Sequence, residues 1–105
     1  MNFSLLQIKI VITLLQHFIQ CEENRIKILE EELGKEIFEL NSLGRNSKDD
    51  SEQKEFWLQA DKKDSFLNSE IENWTYQRFY LRQFLEYLQK KLRQAKNGGS
   101  HADAA

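Results

Sequence analysis

Apolar residues recur along the first forty or so positions in alternating steps of three and four. The series is Leu5, Ile8, Ile12, Leu15, Ile19, Glu22, Ile26, Leu29, Leu33, Glu36, Leu40 and Leu43, broken only by two glutamates. A seam of a and d positions kept up over so many turns predicts one long helix, about 3–43. The polar stretch "NSLGRNSKDDSEQ" follows, and Gly44 stands where a C-cap glycine belongs.

A second series has the same spacing: Trp57, Ala60, Asp64, Leu67, Ile71, Trp74, Arg78, Leu81, Leu85, Leu88, Leu92 and Ala95. It predicts a second helix, about 52–96, after a polar loop of about 44–52. In "ADKKDS" a fresh N-cap at Asp64 or Ser65 is the competing reading, which would leave 52–64 as loop. The glycines of "KNGG" predict the helix stop at Gly98 and a flexible tail over 98–105.

Two helices joined by a polar loop fold back on each other when one register satisfies both seams. Pairing residues whose numbers sum to 100 does so. Leu33 meets Leu67, Ile26 meets Trp74, Ile19 meets Leu81, and every a position meets a d position. Glu22 falls opposite Arg78, a charge-matched layer inside the seam. A parallel self-dimer would place Glu22 on Glu22, and an unpaired buried charge costs about 3–5 kcal/mol. Glu36 opposite Asp64 is the layer that argues against this register, unless Lys35, Lys62 or Lys63 reaches in. The fold class expected is all-α: an antiparallel, coiled-coil-like helical hairpin in a single domain, 1–97, assembling into a multi-helix bundle.

The seam does not absorb every apolar residue. A second stripe runs beside it on each helix, through Val11, Leu14, Phe18 and Cys21 on the first and Tyr80, Phe84 and Tyr87 on the second. In an antiparallel pair these stripes fall on one side, at the end away from the loop. The other flank carries Lys9, Gln16, Glu23, Arg82 and Gln89. An apolar patch of several hundred Å² marks an interface more often than a free surface, so the seven stripe residues are the expected partner-binding site. Tyr76, Phe79, Leu6 and Ile10 lie on neither stripe and point to more than one neighbouring helix.

Composition narrows the chemistry. The chain has 105 residues, no proline, four glycines and a net charge of −2. That charge is too small and too mixed in sign to make nucleic acid the expected partner. The apolar N-terminal run is interrupted by Gln7, Lys9, Gln16 and His17. It has neither a preceding basic residue nor a small-x-small cleavage pattern, so no membrane partner is expected. One cysteine excludes an internal disulfide framework and fits a reducing compartment, cytoplasm or nucleus. His17 and Cys21 are four apart, a spacing that supplies two zinc ligands but not a site, so no metal or other cofactor is expected. No phosphate-binding loop and no nucleophile–base arrangement occurs, so no enzyme is expected. The sequon "NWT" at 73–75 carries a seam tryptophan and reads as accidental.

The expected function is that of a non-catalytic structural or interaction subunit. Its partner is a protein: a second copy in a dimer of hairpins, or the helices of another subunit. Chromosome-, cytoskeleton- and tether-type complexes commonly use such modules. The alternative is the six-helix core of a membrane-fusion protein, where a long apolar helix trimerises and a Trp-bearing helix packs antiparallel in its grooves. Two chains against three separates them.

Overall fold

The computed structural model describes residues 4–104, with side-chain surroundings for 4–96. It contains two helices, α1 (Leu5–Asn46) and α2 (Asp50–Ala104), joined by residues 47–49. The chain is an all-α helical hairpin, as the mirrored seams predict.

Each helix begins at a cap built from its own sequence. The Gln7 backbone N–H donates to Ser4 Oγ at 3.1 Å, and the Ser4 N–H donates to the Gln7 side-chain oxygen at 2.8 Å. This reciprocal capping box satisfies two N–H groups near the helix start. Asp49 caps α2, its carboxylate accepting the Ser51 N–H at 3.0 Å. Asp50 and Glu52 place further negative charge in the first turn, at the positive end of the helix dipole. With that cap in place and no proline to interrupt it, the segment 52–64 is helical, and Asp64 starts nothing.

The loop is therefore shorter than expected, and two glycines act differently from the sequence reading. α2 continues through Gly98 to Ala104, where a stop and a tail were expected. A mid-helix glycine costs only about 1 kcal/mol, and no described glycine has the positive φ of a left-handed cap. Residue 105, and residue 3 as a helix start, lie outside the described residues.

Gly44 is likewise inside α1, not beyond its end. A Cβ built there would sit 2.5 Å from Trp57 Nε1 and 2.7 Å from Trp57 Cδ1. The glycine is required by the close approach of the indole. Its carbonyl, near the helix end where no intrahelical donor remains, accepts the Gln53 side-chain amide at 2.8 Å and the Ser47 N–H at 3.3 Å.

A paired substitution separates this role from helix propensity. Gly34 has nothing within 4 Å of its would-be Cβ, so Gly34→Ala should stabilise by about 0.5–1 kcal/mol. Gly44→Ala gains the same propensity but must displace the indole, an overpacking cost of about 1–3 kcal/mol. It should be destabilising in urea denaturation. Equal gains at both sites would remove the packing role.

The contacts gather into two compact units, each made from a stretch of both helices. The terminal unit takes α1 up to Cys21 and α2 from Tyr76 onward. The turn unit is Glu22–Thr75.

In the terminal unit Ile8, Ile12 and Leu88 form a buried cluster, with Val11, Leu15, Leu85 and Leu92 packed against it. Three pairs summing to 100 fall in this one cluster: Ile8 with Leu92, Ile12 with Leu88, and Leu15 with Leu85. The seam frays at its last expected pair, since Leu5 and Ala95 are exposed.

In the turn unit Ile26 and Trp74, again summing to 100, are 6% and 5% exposed. Nearer the loop alternate positions of the inner line move by one residue on each helix. Ile37 and Gly44 are the less exposed residues where the heptad count places Glu36 and Leu43, and Phe56 and Lys63 where it places Trp57 and Asp64, while Leu33, Leu40, Ala60 and Leu67 stay as counted. A straight α-helix departs from a 3.5-residue repeat by about 20° per heptad. Over the roughly five heptads from Ile8 to Gly44 that drift amounts to about 100°, one residue. The Glu36–Asp64 layer accordingly does not form. Lys63 lies at the border of the seam, its Nζ 2.9 Å from Glu36 Oε2. Both side chains are well exposed, so the pair contributes at most about 1 kcal/mol.

Candidate docking surface

The seven stripe residues all belong to the terminal unit. Their placement follows from helix geometry. Phe84 stands four residues from Leu88 and one from Leu85, so it lies beside the seam on α2, with Tyr80 and Tyr87 turned further out. On α1 Phe18 neighbours Ile19, with Leu14 one turn back. Leu14, Phe18, Tyr80, Phe84 and Tyr87 are each between 44% and 65% exposed. Cys21 is also exposed. Val11 differs from the other six, being half-buried against the Ile8–Ile12–Leu88 cluster. It serves as the floor between core and surface.

The exposed apolar surface is wider than the two stripes. The Phe79 and Tyr80 rings meet edge to face, with centroids 5.4 Å apart and planes at 81°. Ile10 and Leu14 line one shallow depression with Lys9 and Thr13. Leu6 and Tyr76 are exposed as well. Phe79, Ile10, Leu6 and Tyr76 lie off the stripes and add exposed apolar area on other faces of the same unit. Its sequence signal is apolar character around most of the circumference of α1 before Phe18, since a helix apolar on nearly all sides is one meant to be covered. At the edge, Lys91 Nζ lies 5.6 Å from the Tyr87 ring centroid, a cation over an aromatic face. The opposite flank is polar: Lys9, Gln16 and Arg82 are exposed.

The other expected feature was a polar layer of Glu22 and Arg78. Arg78 is half-buried on the seam line of α2. In the turn unit Glu22 is held by Arg25, whose Nη2 lies 3.1 Å from Glu22 Oε2 and whose Nε donates to both carboxylate oxygens. The same guanidinium reaches Glu70 Oε2 on α2 at 3.5 Å. The hydrogen bond that Arg25 donates to Glu22 raises the Arg25 pKa above its ordinary value. Sequence reading missed Arg25 and Glu70; an i,i+3 acid–base pair in "EENR" was its signal.

His17 and Cys21 do come together, Cys21 Sγ lying 3.5 Å from His17 Nε2 on the exposed side of α1. No group of three or more metal-ligating side chains occurs among the described residues, and no described helix is long and apolar enough to cross a membrane. Comparison with known protein families, with characterised proteins and with solved structures finds no match to this chain.

Proposed function

We propose that this chain is a non-catalytic structural subunit whose helical hairpin docks on other helices, coiled-coil fashion, through the apolar face of its terminal unit. The observation that carries the reading is the contrast between core and surface. The buried core amounts to eight hydrophobic residues among those described, while four aromatic side chains of one face stand about half exposed. Those four rings leave roughly 400 Å² in water. Covering that area is worth about 10 kcal/mol at 25 cal/mol per Å², the same order as the cost of bringing two molecules together. A partner that also covered Leu14 and Ile10 would tip the balance toward association. The single cysteine fits a reducing compartment, and the reading takes the subunit to work in the cytoplasm or nucleus, as a scaffold piece of a larger complex.

The test compares two faces of one helix. Phe84→Glu puts a charge into the proposed interface, where loss of an aromatic anchor costs about 2 kcal/mol or more. Association should weaken by at least about 30-fold by light scattering, with the helical circular-dichroism signal retained. Phe18→Glu should do the same from α1. Arg82→Glu, on the polar flank, should assemble like the parent. Unchanged assembly of Phe84→Glu would end this reading, and outright unfolding would move the stripe into the core.

A further inference from the structure

We infer that the partner at this face is a second copy of the chain, two terminal units meeting about a two-fold axis as a four-helix bundle. The inference rests on the docking reading above and names its occupant.

Three observations point to self-association. The first is width. A single partner helix laid in the groove between α1 and α2 would cover Phe18 and Phe84, which border the seam. Leu14, Tyr80 and Tyr87 are turned further outward and Ile10 further still, following 100° per residue. Apolar surface that spreads across both helices suits a partner that presents two helices.

The second is charge. In a two-fold contact the same patch faces itself, so any net charge in the patch meets its own sign. Leu14, Phe18, Cys21, Tyr80, Phe84 and Tyr87 are uncharged types, and Lys91 at the edge lies over the chain's own Tyr87 ring. A face built for an oppositely charged partner would carry charge of its own. This one can meet itself with little repulsion, the nearby cations Lys91 and Lys9 standing at its margin.

The third is area. The four exposed aromatics supply roughly 400 Å². Leu14 and Ile10, exposed on the same side of α1, extend this toward the roughly 800 Å² that each partner contributes to a standard interface. The patch thus supplies the larger part of one half of such an interface.

The experiment is sedimentation equilibrium over a range of concentrations on the parent chain, Leu14→Glu and Phe84→Glu, with circular dichroism on each. The expected result is a parent at twice the monomer mass and both variants dissociating at least about 30-fold more readily, with helicity kept. Leu14, the more exposed of the two, keeps the test valid if Phe84→Glu fails to fold. A parent that is monomeric throughout, or that settles at three or more copies, overturns the two-fold inference and leaves the face open to a different chain. A dimeric parent whose variants dimerise as well as it does overturns the docking reading itself, because the interface then lies elsewhere.

Discussion

Trp74→Ala should cost about 3–5 kcal/mol, the usual price of removing a large aromatic from a core that cannot collapse around the void. Trp74 is 5% exposed, and its register partner Ile26 is 6% exposed. The turn unit buries few other side chains to this degree, chiefly Ala60 and Leu67. A two-helix unit with so few buried residues has little stability in reserve. The loss should therefore appear as a large drop in the urea midpoint, with an unchanged slope if the unfolded state is unaffected. Trp57 is the internal control. Its indole packs on Gly44 but stays 40% exposed, so Trp57→Ala removes less buried surface and should cost clearly less. A Trp74→Ala variant losing under about 1 kcal/mol would mean that the tryptophan is not part of a close-packed seam.

The two tryptophans show how far the sequence can be read. Both fit an ideal heptad and so read as seam residues. The heptad is a good guide where it is anchored: Ile8, Ile12, Leu15, Leu85, Leu88 and Leu92 pack as counted. It fails gradually with distance, because the α-helix has 3.6 residues per turn and the count assumes 3.5. By the loop alternate positions are out by one residue, so Ile37 and Lys63 are less exposed than Glu36 and Asp64, whereas Leu40, Ala60 and Leu67 stay as counted. The awkward pairing of two carboxylates in the sequence was itself the sign of this drift. Gly44 was misread for a different reason. A glycine near a helix end serves either a left-handed cap or a close approach, and only the position of the Trp57 ring decides between them. The capping box was legible, since "SLLQ" has a serine and a glutamine three residues apart. The loop-end geometry was not, because Asp49, Asp50 and Ser51 are all plausible caps by residue type.

The candidate surface was legible as a stripe but not in its extent. Periodicity assigns each residue to one face, whereas exposure shows that Leu6, Ile10, Tyr76 and Phe79 leave further apolar area in water beyond the stripe. Val11 shows the opposite limit. A position beside the seam is half in the core, and only packing reveals which half.

Leu88→Ala tests that division between core and surface. Leu88 is 3% exposed at the centre of the Ile8–Ile12 cluster. Truncating it leaves a cavity between the helices, and the expected loss is about 2–5 kcal/mol. Leu14, of the same residue type but 62% exposed, supplies the comparison. At protein concentrations low enough to keep the chain unassociated, Leu14→Ala should change stability by no more than about 0.5 kcal/mol, as surface substitutions usually do. As the concentration is raised the order should narrow, because assembly adds stability by mass action and Leu14 contributes only there. The measurement is urea denaturation of both variants and the parent at two widely separated protein concentrations. A Leu14→Ala loss already as large as that of Leu88→Ala in the dilute chain would place Leu14 in the hairpin's own core. A Leu14→Ala loss that stays small when the parent is fully assembled would remove it from the docking surface.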